Sequence, residues 1–184
     1  ARTNRTARVR RPYGWTELHA RDKIPAMAET TLRGISEIRA FFRTNPTPVY
    51  FVSPTAFNLL GIDRWLRNFF YVNYFDSFDG SHPRVFVPKE LPYREFESME
   101  DICNYLLGHK EVLDRIASRG GGGKCVFVMF DDETEQAAAT AGLEVAHPSA
   151  DLRHRLDSKI VTTQLGNEAG VPSAPNILGR ASSF

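Results

Sequence analysis

Lys159 is the residue whose type and position most directly indicate chemistry in this sequence. It lies at the predicted start of a helix, where a positive charge gains nothing from the helix dipole. Such a lysine is explained if its ammonium group binds an anionic ligand, and phosphate is the natural ligand of a compact positive charge. The alternative is a solvated lysine in the first turn of the helix.

Two groups of polar residues follow predicted strands. Ser53, Pro54 and Thr55 come after the apolar run at 49–52, and the acids Asp131–Glu133 come after the run at 124–130. Ligands of open parallel sheets bind at the carboxyl ends of the strands, so both groups are candidates for ligand contact. The acids could coordinate Mg²⁺, but the helix dipole favours acids at a helix start without any metal. We prefer this structural interpretation and predict no metal site.

A run of glycines at 120–123, followed by Lys124, invites comparison with a phosphate-binding loop. Such a loop follows a strand and opens a helix, with lysine and then Ser or Thr at the helix start. Here the glycines follow a helix and the lysine opens a strand. The order therefore favours a flexible connector between a helix and a strand.

The histidines and cysteines carry weaker signals. His109, His147 and His154 are scattered and have no evident carboxylate or cysteine partner in the sequence, which indicates surface or structurally satisfied side chains. Cys103 and Cys125 lack C-x-x-C spacing, so neither a zinc site nor a disulfide framework is suggested. We expect two reduced, buried thiols in a cytoplasmic protein.

The composition excludes several classes of protein. The 184 residues are 42% hydrophobic and 24% charged with a net charge of +1, as in ordinary globular proteins. No apolar run reaches the roughly 18–20 residues of a membrane span. The arginines among residues 1–11 could contact nucleic acid or another polyanion, but no aromatic residues are interleaved with them. We therefore expect a solvated arm, no membrane partner, and no nucleic-acid partner.

Alternating strands and helices predict an α/β fold, a Rossmann-like open parallel sheet with an N-terminal helical arm and a C-terminal linker helix. We expect three regions: a basic arm with an amphipathic helix at 1–46, the sheet domain at 47–148, and linker helices at 149–184. The predicted strands are 49–52, 70–75, 84–88, 124–130 and 143–146. The predicted helices run from a Thr30 or Thr31 cap to Arg43, and over 57–69, 99–107, 111–116, 134–141 and 151–156.

The last helix has clear signals at both ends. Asp157 or Ser158 can cap its start, and apolar residues at 160, 161, 165 and 169 fall near one face. Gly170 follows the last of these residues, where a left-handed cap is favoured. Pro172 and Pro175 prevent continuation. A helix of about twelve residues is predicted.

This segment resembles the ATP-grasp superfamily, and its biotin carboxylase-like members most closely. The matching residues are Lys159, Ala169, Gly170, Val171, Pro172 and Pro175. Ser158 departs from the pattern, because the family usually has aspartate there; Asp157 lies one residue early. The resemblance covers about 47–178, and the first 46 residues have no counterpart in it.

The resemblance implies an ATP-dependent carboxylate or bicarbonate ligase or carboxylase that acts through an acyl phosphate. Lys159 would contact the ATP phosphates, and the loop of Ser53, Pro54 and Thr55 would face the acceptor. ATP and Mg²⁺ would be cofactors of a longer protein, because the subdomains that complete the nucleotide site do not occur in these 184 residues. We expect a fragment that is inactive alone and binds ATP weakly or not at all; its catalytic residues are not predicted.

The second hypothesis is a non-catalytic α/β binding or interaction module with an arginine-rich docking arm. A nucleic-acid-binding domain is a third, weaker hypothesis, and it requires affinity that falls steeply with salt. The substrate and the involvement of biotin stay open. Apolar Trp65, Phe69, Phe70 and Tyr71 could supply a core or an interface, so a homo-oligomer is a further possibility.

Overall fold

Five short strands organise the fold. In the computed structural model they are β1 (Val49–Ser53), β2 (Phe69–Asn73), β3 (Val85–Phe86), β4 (Gly123–Val126) and β5 (Leu143–Val145). The helices are α1 (Ile35–Thr44), α2 (Met99–Gly108), α3 (Lys110–Ala117), α4 (Asp132–Thr140), α5 (Ala150–Asp157) and α6 (Lys159–Glu168). Two 3-10 turns, Phe57–Leu59 and Ile62–Arg64, lie between β1 and β2.

The structure describes residues 31–90, 94–171 and 174–179. The chain divides into two compact units, Ala1–Arg33 and Gly34–Phe184, and every element named above belongs to the second. The arginines among residues 1–11, the possible Thr30 cap and Pro172 lie outside the described residues. Within the described ranges, no helix is both long and apolar enough to cross a membrane.

The strands form one parallel sheet in the order β3-β2-β1-β4-β5, which confirms the predicted α/β class. β1 lies in the middle and pairs along its whole length with β2, from Val49 opposite Phe69 to Ser53 opposite Asn73. All ten residues of this pair are buried. Their near-continuous apolar sequence is what a strand covered on both faces requires.

Successive side chains of the central strands point to opposite faces, and each face has its own core. We call the two faces the helix face and the turn face. On the helix face, the strand residues Tyr50, Val52, Phe70, Val72 and Cys125 pack against apolar side chains of α2, α3, α4 and α5. On the turn face, Val49, Phe51, Phe69 and Tyr71 pack against Ala56, Leu59, Ile62 and Leu66.

The predicted helix at 57–69 is wrong. Gly61 interrupts the segment with a φ of 90°, and the Tyr71 phenol oxygen accepts a hydrogen bond from its amide nitrogen at 3.1 Å. The same oxygen lies 2.9 Å from the Leu59 carbonyl oxygen. Of the apolar residues on which that prediction depended, Leu59, Ile62, Leu66 and Phe69 pack inward, whereas Phe57, Leu60 and Trp65 are exposed. A contact with β2 folds the backbone of this segment into two short turns.

Other predicted boundaries are also wrong, two of them by several residues. α1 begins after Gly34, in extended conformation, so a cap at Thr31 is excluded. β4 ends at Val126 rather than 130 because the Phe127 amide donates to His147 Nε2, at 3.0 Å, instead of to another strand.

The predicted ends of α6 are confirmed. The Ser158 hydroxyl accepts a hydrogen bond from the Val161 amide at 3.4 Å. At the other end Gly170 has a φ of 69°, its amide donates to Asn167, and the Val171 amide donates to Gly166. These paired bonds are the Schellman arrangement that ends many helices.

The glycine run forms the predicted connection between α3 and β4. All four of its glycines have positive φ, and Gly123 reaches 130°. A Cβ at Gly123 would lie 2.7 Å from the Pro48 carbonyl oxygen, which belongs to the backbone and cannot easily move. Glycine is therefore required where β4 begins beside β1.

We expect Gly123→Ala to lower the free energy of unfolding by at least about 2 kcal/mol, because it adds backbone strain to a steric clash. Urea unfolding followed by circular dichroism measures the change. Gly166→Ala is the control, since Gly166 lies in α6 with open space around it and alanine favours helix by up to about 1 kcal/mol. Equal stability of the two variants would contradict this account.

Candidate functional site

The carboxyl edge of the sheet is the candidate site. After β1 the chain passes to the turn face, whereas after β4 it passes to α4 on the helix face. β1 and β4 are neighbours, so their carboxyl ends border a crevice where the strand order reverses. Ligands of open parallel sheets bind at this kind of position.

Ser53 ends β1 and is built into the turn that follows. Its hydroxyl donates to the Thr55 carbonyl oxygen, and Asn73 Nδ2 donates to the Ser53 carbonyl oxygen at 3.1 Å and to the hydroxyl at 3.0 Å. The Phe75 amide donates to the Pro54 carbonyl oxygen at 2.9 Å. The hydroxyl of Ser53 is therefore occupied by hydrogen bonds within the protein. Pro54 and Thr55 are half-buried and closer to solvent.

Asn73 is a site residue that sequence reasoning missed. It is completely buried, and its Oδ1 has no hydrogen-bond partner among the described residues. A polar residue inside the apolar run at 70–75 is the signal that could have identified it. By linking the ends of β1 and β2, Asn73 fixes the position of the turn at Pro54 and Thr55.

Asp131, at the end of the β4 loop, caps α4. Its carboxylate accepts a hydrogen bond from the Thr134 amide at 2.8 Å, and the Thr134 hydroxyl bonds back to the Asp131 amide at 3.3 Å. Burial raises the pKa of Asp131, but hydrogen bonds from Thr134 and from the Asn104 side chain outweigh it and hold that pKa below its ordinary value. No three potential metal-binding side chains cluster within the described ranges.

A cavity of about 520 Å³ opens beside the first turns of α2 and α4. Its lining consists of Arg94, Glu95, Phe96, Glu97, Asp101, Asn104, Tyr105 and Glu133. Four carboxylates outnumber the single guanidinium group, so the potential inside is negative. A free anion is repelled from this part of the edge.

Arg153 of α5 ties together the elements beside β4, and sequence reasoning missed this residue too. Its guanidinium donates to the Phe130 carbonyl oxygen and lies 3.5 Å from a Glu100 carboxylate oxygen and 3.2 Å from one of Asp157. Its side chain is 16% exposed. The spacing of Arg153 and Asp157, four residues apart on one helix, is the sequence signal that could have indicated the pairing.

Lys159 begins α6 and is exposed. Its ammonium group forms no hydrogen bond or ion pair within the described part of the chain, and the residue is not part of the acidic cavity wall. The nearest acid in sequence, Asp157, is paired with Arg153. No described side chain therefore neutralises the positive charge of Lys159.

The remaining sequence candidates have structural roles. His109 Nδ1 accepts from the Glu111 amide at 3.2 Å, and its Nε2 lies 3.0 Å from the Glu90 carbonyl oxygen. Both cysteines are free and buried as predicted. Burial raises the pKa of each thiol to about 12, which keeps Cys103 and Cys125 protonated and poorly nucleophilic at neutral pH.

The fold and this edge define an open parallel α/β protein of Rossmann-like type. Comparison of the chain with protein-family models, with curated proteins and with solved structures finds no match.

We expect Arg153→Ala to lower the free energy of unfolding by about 2 kcal/mol, because it removes charged hydrogen bonds that join α5 to α2 and the β4 loop. Urea unfolding measures this loss. Arg155→Ala, an exposed position on the same helix, is the matched control and should change stability by less than about 0.5 kcal/mol. If both substitutions cost the same, Arg153 does not have the proposed linking role.

Proposed function

We propose that this chain is the N-terminal part of an ATP-grasp-type ligase or carboxylase that activates a carboxylate or bicarbonate as an acyl phosphate. The observation that carries the proposal is α6. It starts with Lys159, which has no ion-pair partner among the described residues, and it ends in the Gly170 turn. It follows a parallel sheet whose strand order reverses at β1.

Electrostatics support a phosphate ligand at Lys159. The first turn of a helix presents unpaired amide groups and the positive end of the helix dipole. An unneutralised ammonium group at the same place adds to that positive potential and suits the phosphates of a nucleotide. Asp157, which stands one residue before the family's usual aspartate position, does not cancel this charge because its carboxylate is paired with Arg153.

The proposed reaction has two steps. A carboxylate oxygen attacks the γ-phosphorus of ATP, ADP leaves, and an acyl phosphate forms. An amine or another nucleophile then attacks the acyl carbon, and inorganic phosphate leaves. In the first step Lys159 would stabilise the negative charge on the phosphates.

The charges at the carboxyl edge favour one position for the proposed acceptor. A carboxylate or bicarbonate in the acidic cavity would meet the carboxylates of Glu95, Glu97 and Asp101. The turn at Pro54 and Thr55 carries no acid, so we assign the acceptor to that side of the crevice. The resemblance implies Mg²⁺ as a cofactor. The described residues contain no group of three or more side chains that could hold a metal ion, so the proposed steps do not use one from this chain.

The test uses the protein encoded by the complete reading frame, because on this proposal the rest of the nucleotide site lies outside these 184 residues. ADP release is measured with candidate carboxylates and bicarbonate, and hydroxylamine is added to trap an acyl phosphate as a hydroxamate. Lys159→Gln should lower kcat/KM for ATP about 10²-fold, as loss of one charged contact to the transition state does.

Lys110→Gln is the control, since Lys110 is an exposed lysine that pairs with Asp114 at the start of α3. Its activity should equal that of the unmodified protein. Full activity of the Lys159 variant would exclude the assigned role. Absence of both ADP release and hydroxamate with every acceptor would instead favour the binding-module hypothesis. The 184-residue chain alone should bind ATP weakly or not at all.

A further inference from the structure

Three arginine side chains gather on the helix face at the amino edge of the sheet. Arg84 precedes β3, Arg115 lies in the last turn of α3, and Arg119 follows that helix. The Cζ atom of Arg119 lies 3.7 Å from the centroid of the Phe70 ring, and that of Arg84 lies 5.1 Å from the same centroid. Arg115 Cζ lies 5.5 Å from the Phe86 centroid. We call these residues the amino-edge arginine cluster.

No acid neutralises this cluster within the described part of the chain. None of the three guanidinium groups forms an ion pair or a hydrogen bond there, and Arg119 Nε is shielded from solvent without a partner. Arg153, at the opposite edge, has two carboxylates within reach. A shielded donor without an acceptor costs free energy, so a bound acceptor would stabilise Arg119.

Tyr50 places another unused donor beside the arginines. It is the second residue of β1, is 1% exposed, and has a phenol oxygen without a hydrogen-bond partner among the described residues. Its ring lies 5.8 Å from that of Phe70. Burial raises the pKa of the phenol more than the charges of Arg119 and Arg115 lower it, so the hydroxyl keeps its proton at neutral pH.

The electrostatics of Arg119 show the same imbalance. Burial lowers the pKa of its guanidinium, and the positive charges of Arg115 and Arg84 lower that pKa further. An anion placed among these groups would remove the mutual repulsion of the three arginines. It would also give Arg119 the hydrogen-bond acceptor that the protein does not supply.

The glycine run leaves this corner uncovered. Gly120 and Gly121 directly follow Arg119, and a Cβ at either position would have no atom within 4 Å. Lys124 directly follows the glycine run in the sequence. Its ammonium group forms an ion pair with the Glu144 carboxylate at 2.8 Å. The cationic groups that are available at this edge are therefore the arginines.

We propose that the amino-edge arginine cluster, together with the Tyr50 hydroxyl, binds a phosphate group, either free or carried by a small phosphorylated molecule. Three guanidinium groups provide planar, paired donors that match phosphate oxygens, and a dianion balances their charge better than a single carboxylate does. In the proposed complex, Arg119 Nε and a terminal nitrogen would donate to the same phosphate. This site lies at the opposite edge from Ser53–Thr55, so it is independent of the proposed ligase activity.

The test measures thermal unfolding of the 184-residue chain in increasing sodium phosphate, against sodium chloride at equal ionic strength. A ligand that binds the native state raises the Tm in a saturable manner. We expect the Tm in phosphate to be higher than the Tm in chloride at equal ionic strength. Titration calorimetry then gives the Kd for phosphate. Arg119→Gln and Arg115→Gln should each weaken binding, which raises that Kd about tenfold or more. Arg155→Gln, the control, should not change it.

A second readout separates binding from a structural role. Without phosphate, Arg119→Gln should raise the Tm, because it removes an unpaired charge that is repelled by two others. If Arg119 served packing alone, the substitution would lower the Tm and leave the phosphate response intact, and the proposal would be overturned. Should Arg119→Gln fail to fold, Arg84→Gln and Arg115→Gln carry the same test.

The ligand class is tested by comparing inorganic phosphate, glycerol phosphate and acetate. Binding of either phosphate compound supports the proposal, and their relative Kd values show whether the natural ligand is the free ion or an ester. Equal stabilisation by acetate and phosphate would overturn it, as would equal stabilisation by phosphate and chloride. A loss of affinity in Arg155→Gln as large as that in Arg119→Gln would also overturn it.

Discussion

The burial of β1 is the constraint on which the rest of the structure depends. All five of its residues are buried, so each backbone donor and acceptor needs a hydrogen-bond partner within the protein. β2 and β4 supply these partners on the two sides. The chain must then cover both faces, which it does with four helices on one face and two short turns on the other. The reversal of strand order at β1 creates the crevice at its carboxyl end.

The two edges of this sheet differ in charge, and the difference bears on which ligands each edge can accept. At the carboxyl edge, carboxylates line the cavity, and Asp131 is held ionised by the hydrogen bonds that cap α4. At the amino edge, three arginines lie on aromatic rings and form no ion pair with any described acid. Lys159 on α6, after β5 in the chain, adds a positive charge that no described side chain pairs with. On the proposed function, an anionic co-substrate would bind near Lys159 and the turn after β1, and the amino edge is the separate site proposed for phosphate.

Local signals in the sequence predicted the features that local interactions determine. The apolar run of β1 and the cap and glycine of α6 act over a few residues, and each has the predicted structure. The predictions that failed depend on contacts between distant parts of the chain. Tyr71 bends the segment around Gly61, His147 ends β4, and Arg153 joins three elements. The amino-edge cluster was missed for the same reason, because α3 and two strands bring its arginines together.

On the proposed function, Lys159 lies against the phosphates of ATP. A lysine-reactive acyl phosphate of ATP tests it directly, because the probe transfers its acyl group to lysines beside the terminal phosphate. The complete protein would be labelled with and without excess ATP, digested, and analysed by mass spectrometry. The account predicts that Lys159 is the most strongly labelled lysine of this region and that ATP suppresses its labelling. Labelling of Lys159 no greater than that of exposed Lys110, or labelling that ATP does not change, would contradict it.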